Sequence, residues 1–527
     1  MKPPAVIERG DFQTPLDLCT EICDLIARSG VPRPNLVLEP CCGTGSFVLA
    51  AACAFPDARI IGVDIDGDHL ATALGRVREA GLETRVRLVE ADLFEADWRA
   101  TLGPVRGRVL VVGNPPWVTS DRMRRIGGRN LPARANFKGL GGLDAITGKG
   151  NFDVSEWVLL DLLDRLQGVP ATVAMLCKTA VARRVVERAA ATEACFSCRG
   201  TWAIDARARF GAAVAACVFV FDSDSAGSDA DCRVFTSLDA RAPDHVFGSR
   251  DGVLVADMDA YERWRGLAAE DRLRWRSGIK HDCARVFELV KASDGWRNGL
   301  GEIVDVEDEL LHPLIKGTDL ARDRVGEPER ALVVTQRHPG DDTSDIAGRA
   351  PRTWAYLDRH RALLAARRSS IYRGRPEFAI FGVGPYSFAP WKVAVSGLHA
   401  DPAFRVVGQR EGRPFVLDDT CMSLAFEREG EARAVRALLE SHPARELLRS
   451  LTFRDAKRPV TRAVLERIHL GRLAALALDG TVDIGTGSVT SDDLEAVIAL
   501  ADVSGARAAP TPVPRARPRS RRPGAGR

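Results

Sequence analysis

The chain has 527 residues, of which 45% are hydrophobic and 28% charged, and its formal net charge is +3. This length suffices for about two to four domains, and a nucleic-acid enzyme with so small a net charge must concentrate its basic residues on one face. No apolar run approaches the roughly 18 residues of a membrane span, and no signal-peptide pattern opens the chain, so we expect neither a membrane protein nor a secreted one. The 12 cysteines are scattered without the paired spacing of a zinc site, which predicts reduced thiols, no metal and a cytoplasmic location.

The first half alternates short runs rich in β-branched residues with stretches of helical periodicity. Strands are predicted at 36–38, 59–63, 86–89, 109–112, 172–176 and 214–221. Helices are predicted at 16–27, 47–54, 68–80, 154–166 and 182–191. This rhythm is typical of βαβ units and predicts an α/β fold with a doubly wound, largely parallel sheet.

The rhythm becomes irregular from about residue 246, which predicts a second domain of α+β class. A long helix is predicted at 354–369, and a turn followed by a strand at 381–398, where Lys392 beside glycines is typical of a DNA-facing surface. Residues after 503 are rich in Ala, Pro, Gly and Arg, a composition that predicts a disordered basic tail, which either holds DNA non-specifically or has no role. The predicted divisions are therefore 1–245, 246–503 and 504–527.

A glycine-containing turn follows the first predicted strand, in the sequence LVLEPCCGTGSF. The strand ends in Glu39, and the turn contains Gly43 and Gly45, which allow the backbone to approach a ligand closely. The next strand ends in Asp64, whose carboxylate can accept from both ribose hydroxyls, and the third leads to Asp92, which can accept from an adenine amine. Because neither a third glycine nor a Gly-Lys-Ser/Thr sequence follows, a nucleoside cofactor is favoured over one that carries a pyrophosphate.

The fourth predicted strand ends in the sequence Asn114-Pro115-Pro116-Trp117. The two prolines fix φ and remove two backbone donors. The side-chain oxygen of Asn114 and the carbonyl of Pro115 can accept both hydrogens of an adenine N6 amine and so aim its lone pair. A base inside a duplex is out of reach, so it must be flipped out, and Trp117 offers a face on which it can stack.

In this order, the motifs resemble the gamma class of N6-adenine DNA methyltransferases of restriction-modification systems. The resemblance implies a class I methyltransferase (Rossmann-like) sheet followed by a target-recognition domain, with S-adenosylmethionine as cofactor and Glu39 facing its methionine end. It also implies that Thr14, in the segment GDFQTP, lies near the cofactor carboxylate. The segment 148–152 is expected near the cofactor adenine, and Phe210 is expected to supply a second stacking aromatic.

The second half carries four segments that match patterns of the same class, at 275–285, 311–320, 418–420 and 453–459. The resemblance, with asparagine at the head of the NPPW corner, implies a site-specific enzyme that methylates N6 of a flipped-out adenine in double-stranded DNA. A monomer is expected, with a separate cognate restriction endonuclease as a possible genetic partner and no membrane association.

Two alternatives remain open from the sequence. The same NPPW corner suits an enzyme that methylates RNA or the amide nitrogen of a protein glutamine, although glutamine enzymes carry only a short extra domain. The chain could also be a catalytically silent DNA-binding subunit, against which the complete set of acids and the intact corner argue.

Overall fold

The computed structural model describes residues 13–96, 101–103, 107–119, 153–192, 194–223, 228–325, 329–485 and 489–502. The segment 148–152, the start of the GDFQTP segment and the predicted tail lie outside these residues. None of the described helices is long and apolar enough to cross a membrane.

The first half of the chain builds one mixed sheet. Its long strands are β1 (Leu36–Glu39), β2 (Arg59–Asp64), β3 (Val86–Glu90), β4 (Val109–Gly113), β5 (Ala171–Lys178), β6 (Phe196–Ile204) and β7 (Ala216–Asp222). They lie in the order β6-β7-β5-β4-β1-β2-β3, with β1 to β5 parallel and β7 antiparallel to both of its neighbours. The strand order reverses between β1 and β4, which is where an open sheet of this kind forms a crevice at its carboxyl edge.

Helices cover both faces of this sheet. They are α1 (Leu16–Arg28), α2 (Ser46–Ala54), α3 (Gly67–Glu79), α4 (Val154–Arg165), α5 (Thr179–Thr192) and the short α6 (Ala206–Phe210). Val37 faces the core formed with α1 and α2, whereas its neighbours Leu36 and Leu38 face the core formed with α4 and α5. Burial on both faces explains why the strands read as continuous apolar runs. The predicted doubly wound sheet is confirmed.

The sheet has four further strands, β8 (Ser228–Asp229), β9 (Cys232–Phe235), β10 (His245–Arg250) and β11 (Val253–Val255), of which the last two extend past residue 245. β10 pairs with β9, and β11 pairs with β10. The first sheet therefore extends beyond the predicted division, which stays a prediction.

The remaining chain mixes short strands and helices, as predicted for an α+β unit. Its strands are β12 (Arg276–Ser277), β13 (Glu288–Ala292), β14 (Gly295–Asn298), β15 (Ile303–Val304), β16 (Leu311–Ile315), β17 (Arg330–Val333), β18 (Trp391–Ser396), β19 (Arg405–Val407), β20 (Gln409–Arg410), β21 (Arg413–Pro414), β22 (Val416–Leu417) and β23 (Cys421–Phe426). They form the sheets β15-β14-β13-β17-β16-β22 and β12-β23-β18-β19, and β20 pairs with β21. The helices are α7 (Met258–Trp264), α8 (Ala284–Phe287), α9 (Gly317–Ala321), α10 (Ile346–Arg349), α11 (Pro351–Arg359), α12 (Arg361–Ala365), α13 (Glu429–Glu440), α14 (His442–Leu451), α15 (Arg462–Leu465), α16 (Leu470–Leu478) and α17 (Ser491–Ala501).

Three of the segments matched to the methyltransferase class pack against one another. The Ile279 amide donates to the Leu417 carbonyl at 2.6 Å, and the Gly317 amide donates to the Thr420 hydroxyl at 3.1 Å. A Cβ on Gly278 would lie 2.1 Å from the Asp418 carbonyl oxygen. Glycine is required there because two backbones pass in contact.

Two predictions for the second half are wrong. The helix predicted at 354–369 breaks at His360 and ends at Ala365. Beyond it, the Arg367 guanidinium lies 3.8 Å from the Tyr372 ring centroid and donates to the Ala379 carbonyl at 2.6 Å, contacts that replace further helical turns. Lys392 does not face DNA: the residue is 1% exposed, and its Nζ donates to the Ala389 carbonyl inside the protein.

The segment 453–459, which had no assigned mechanism, lies where the two halves of the chain meet. Asp455 accepts hydrogen bonds from the Thr179 hydroxyl and from Nη1 of Arg183, the latter at 2.7 and 2.9 Å. The Arg183 guanidinium also lies 4.5 Å from the Phe453 ring centroid. Burial raises the pKa of Asp455, but the Thr179 hydrogen bond and the Arg183 charge outweigh it and leave that pKa below its usual value. The segment therefore joins the second half to the start of α5.

Candidate active site

A cleft of about 880 Å³ opens at the carboxyl edge of the first sheet, beside the switch in strand order between β1 and β4. Four strands deliver predicted site residues to it from their ends or from the turns that follow. These residues are Glu39 and Gly43 after β1, Asp64 after β2, Asp92 after β3, and Asn114 and Pro116 after β4. Thr14, which precedes α1, lines the same cleft.

The glycine turn has the backbone geometry that its sequence requires. Gly43 and Gly45 have φ of 51° and 82°, in the left-handed region that favours glycine. Gly45 also directly precedes α2, at whose first turn backbone N–H groups are available to a ligand. Gln13 closes over the turn, because its Oε1 accepts from the Thr44 amide at 3.0 Å and would lie 2.6 Å from a Cβ on Gly43. The segment before α1 thus contacts the glycine turn.

Glu39 presents a buried carboxylate with unused acceptor capacity. The residue is 3% exposed, and its Oε2 has no hydrogen-bond partner among the described residues. Burial raises the pKa of this carboxyl, the Val48 amide opposes that effect, and the charge of Asp64 adds to it. An unpaired buried carboxylate is costly. The position therefore suits a cationic ligand group, which would replace the interactions with water that the carboxylate loses on burial.

Main-chain amides hold the other two carboxylates in place. Asp64 accepts from the Gly43 amide at 2.7 Å and from the Asp66 amide at 2.9 Å. Asp92 accepts from the Phe94 amide at 2.8 Å. Each carboxylate lines the cleft and keeps further lone pairs for hydroxyl or amine donors of a ligand.

Asn114 and Thr14 are in direct contact, which the sequence did not predict. Nδ2 of Asn114 donates to Oγ1 of Thr14 at 3.2 Å. Oδ1 of Asn114 is buried and has no partner among the residues that the structure describes. The corner therefore offers an oriented, unoccupied acceptor at the cleft.

The two predicted stacking aromatics lie together beside the corner. The Trp117 and Phe210 ring centroids are 5.4 Å apart, with the ring planes at 69°, an edge-to-face pair. Phe210 ends α6, and the preceding Arg209 pairs with Asp17 and Glu21 of α1. Pro115, the remaining predicted residue, is buried inside the corner.

Three residues at or beside the site were missed from the sequence, namely Lys178, Asp153 and Phe94. Lys178 ends β5 and donates from Nζ to the Trp117 carbonyl at 3.2 Å, and it also pairs with Asp153. The signal was a single charged residue closing the otherwise apolar strand ATVAMLCK. Phe94, two residues after Asp92, lines the cleft and packs edge-to-face on Trp157 with ring centroids 5.0 Å apart. In the described ranges, no group of three or more His, Cys, Asp or Glu side chains is arranged to hold a metal ion.

Comparison with known proteins places this geometry in context. Residues 37–104 match a family described as a methyltransferase domain. Over 477 residues the chain is 40% identical to the Type II methyltransferase M.NspV of Nostoc sp., an alignment that covers 90% of this chain and 98% of that protein. It is 35% identical over 111 residues to the ribosomal protein uL3 glutamine methyltransferase of Bordetella pertussis, covering 21% of this chain and 35% of that enzyme.

Among solved structures, the Type IIL restriction-modification enzyme MmeI in complex with DNA is similar, with a TM-score of 0.52 and 11% identity. The similarity covers 92% of this chain and 71% of that one. At this identity the likeness bears on the fold alone. Together with the family match and the strand order, it confirms the predicted fold class.

Proposed function

We propose that this chain, which belongs to the type II methyltransferases and uses S-adenosylmethionine, methylates N6 of a flipped-out adenine in double-stranded DNA. The observation that carries the proposal is the oriented Oδ1 of Asn114, a buried acceptor without a partner among the described residues, at the edge of the carboxylate-lined cleft. We further propose a site-specific monomer in a restriction-modification system, with a separate endonuclease as genetic partner.

The cleft residues fit the cofactor. The unpartnered oxygen of Glu39 suits the ammonium of the methionine end, Asp64 suits the ribose hydroxyls and Asp92 the adenine amine. Thr14 lines the same cleft, and we assign it to the cofactor carboxylate, as the resemblance implies. When bound, the cofactor supplies an electrophilic methyl group on its sulfonium sulfur. The protein contributes binding and orientation, and the left-handed Gly43 permits close backbone approach.

The corner positions the amine that receives the methyl group. Oδ1 of Asn114 and the carbonyl of Pro115 accept the two N6 hydrogens, which draws the nitrogen toward tetrahedral geometry and aims its lone pair into the cleft. An amine needs no base before attack, so orientation and charge stabilisation carry the step. Trp117 stacks on the extruded base, with Phe210 beside it, and recovers about 1–3 kcal/mol of the stacking lost from the duplex.

The second half of the chain supports DNA as the substrate class. The identity to the Type II methyltransferase M.NspV covers 98% of that protein and 90% of this chain, and so includes the second half. We therefore propose residues 1–245 as the catalytic domain, 246–503 as the target-recognition domain and 504–527 as a basic tail.

A glutamine amide is the second candidate, because the similarity to a uL3 glutamine methyltransferase is a specific observation and an amide nitrogen fits the same corner. That similarity covers 21% of this chain, compared with 90% for M.NspV. DNA is therefore the favoured substrate, and RNA, glutamine and a silent subunit become outcomes of the test.

The test is methyl transfer from labelled cofactor to DNA of mixed sequence, to ribosomal RNA and to ribosomal protein, each followed by identification of the labelled product. We expect label in DNA as N6-methyladenine. Asn114→Ala should lower the rate by about 100- to 1,000-fold, as removal of a preorganised polar contact does elsewhere.

Asn35→Ala is the matched control. Asn35 accepts from the Arg108 amide at 3.1 Å just before β1, at the opposite end of the strands from the cleft. This variant should keep its activity. Label only in RNA or protein, label on cytosine, or no transfer at all would each contradict the proposal.

A further inference from the structure

The Asn-Pro-Pro-Trp corner has few backbone hydrogen-bond donors with which to fix its own conformation. Pro115 and Pro116 have no N–H group, so two consecutive residues make no donor contact with the surrounding protein. The geometry of the corner must therefore be fixed by external donors acting on its carbonyls, and by its side chains. The two residues that follow the prolines are the places to look for such donors.

β5 holds Trp117 by both its main chain and its side chain. Nζ of Lys178 donates to the Trp117 carbonyl at 3.2 Å, and the indole N–H of Trp117 donates to the Leu176 carbonyl at 3.4 Å. The next carbonyl, that of Val118, accepts from the Val154 amide at 2.9 Å. Lys178 is thus the one charged donor among these three contacts.

A buried carboxylate aims the Lys178 ammonium. Asp153 is 4% exposed and caps the start of α4, where its Oδ1 accepts from the Ser155 amide at 3.2 Å and the Ser155 hydroxyl at 2.6 Å. Its Oδ2 pairs with Lys178. Since both oxygens of Asp153 are engaged, the ammonium has a defined position between this carboxylate and the corner.

We propose that Lys178 is a positioning residue for methyl transfer. By donating a hydrogen bond to the Trp117 carbonyl, it fixes the orientation of the two prolines and of the indole face on which the target base stacks. Lys178 acts through the corner and does not contact the transferred group. The proposal rests on the function proposed above, because the base that Trp117 receives belongs to that substrate.

The test uses a double variant that leaves no unpaired charge buried. Lys178→Met alone would strand the buried Asp153 carboxylate and endanger folding, so Lys178→Met is combined with Asp153→Asn. We expect the single-turnover rate to fall by roughly tenfold to a hundredfold, the cost of a small misplacement. Cofactor affinity should not change. Lys178→Arg, which keeps a cationic donor, should restore part of the rate.

Ser155→Ala is the matched control, because it removes a hydrogen bond to Oδ1 of Asp153 but keeps the pairing of Lys178 with Oδ2 and with the Trp117 carbonyl. It should lower stability and retain the rate. If the double variant is no slower than Ser155→Ala, or if it loses cofactor affinity in the same proportion as rate, the proposal is overturned.

Hydrogen exchange at the Trp117 indole N–H, which donates to the Leu176 carbonyl, and at the Val154 amide, which donates to the Val118 carbonyl, gives a readout that needs no substrate. Exchange should be faster in the double variant than in wild type or in Ser155→Ala. If wild-type protein transfers nothing to DNA, the proposed function fails while this comparison still decides the role of Lys178. Unchanged exchange at both of these N–H groups would overturn the inference.

Discussion

Nδ2 of Asn114 donates to the Thr14 hydroxyl at 3.2 Å, across one hundred residues of chain. This contact orients the amide, since a nitrogen engaged with Thr14 leaves the oxygen for the substrate. It also connects the segment before α1 to the Asn-Pro-Pro-Trp corner after β4, so the residue predicted near the cofactor carboxylate contacts the residue predicted to bind the target amine.

The first prediction concerns that contact. Thr14→Val keeps the side-chain shape but removes the acceptor, so the Asn114 amide loses its preferred orientation. A single neutral hydrogen bond contributes about 0.5–1.5 kcal/mol, and we expect the single-turnover rate to fall by up to roughly tenfold. Rapid-quench methylation assays would measure it, with Thr14→Ser as the control that keeps the hydroxyl. Equal single-turnover rates for the Thr14→Val and Thr14→Ser variants would show that Thr14 does not orient the Asn114 amide.

The second prediction separates stability from binding at Glu39. Burial raises the pKa of this carboxyl, so its ionised form destabilises the cofactor-free protein. Glu39→Gln should therefore raise the midpoint of thermal unfolding at neutral pH while abolishing cofactor binding, which isothermal titration calorimetry would detect. A variant that is less stable than wild type at neutral pH would contradict this account.

The pH dependence of Glu39 has a definite sign. Below the ordinary carboxyl value of 4.5, Glu39 is protonated in both states and imposes no penalty. As pH rises from there toward the raised folded-state pKa, the unfolded chain loses its proton first, so wild type loses stability relative to Glu39→Gln. The gap between their unfolding midpoints should widen across this window, and a constant gap would refute the assignment.

The third prediction concerns Lys392, whose Nζ donates to the Ala389 carbonyl at 2.7 Å. Burial lowers the pKa of Lys392 from 10.5 to about 8, a difference that corresponds to about 3 kcal/mol. Lys392→Met should thus raise the free energy of unfolding by about 1–3 kcal/mol at pH 7, because it removes a buried charge.

The matching pH profile is opposite in sign to that of Glu39. Between pH 8 and 10.5 the unfolded state binds the proton more tightly than the folded one, so wild type gains stability as pH rises. Urea unfolding at several pH values should show the advantage of Lys392→Met shrinking over this range. An advantage that grows there would rule out burial as the cause.

The fourth prediction tests the contact between the halves. A double-mutant cycle with Arg183→Met and Asp455→Asn should give a coupling free energy of about 0.5–3 kcal/mol in unfolding. DNA methylation should fall in both single variants with cofactor affinity unchanged. The control pair is Arg454 and Asp401, both more than 60% exposed, for which surface screening predicts about 0–1 kcal/mol. Equal coupling in the two cycles would argue against a special role for Asp455.

The sequence predicted the parallel part of the first sheet well, because β1, β2, β4 and β5 are largely buried and their interiors are mostly apolar. β6 was missed, since Arg199 and Gly200 interrupt its apolar pattern and the pairing with β7 shifts between Cys198 and Gly200. Arg199 is an extra residue of β6 with no partner in the register with β7, a β-bulge that is defined by the pairing of the two strands.

The site was predictable where chain topology alone determines proximity. Glu39, Asp64 and Asp92 follow successive parallel strands, whose carboxyl ends must meet at one edge. The contacts of Thr14 with Asn114 and of Lys178 with Asp153 depend on side-chain packing between segments distant in sequence, for which composition and periodicity carry no signal.

The continuous sheet from β3 to β11 has a consequence for module exchange. β10 pairs with β9, and the Ala256 amide donates to the Ser450 carbonyl at 2.6 Å. The two halves are therefore joined by backbone hydrogen bonds, without a flexible linker between these residues. A chimera spliced at residue 245 would cut into paired backbone, whereas one that transplants β9 to β11 along with the downstream half keeps those ladders intact. Inheritance of a new recognition half by recombination would favour crossover points upstream of β9.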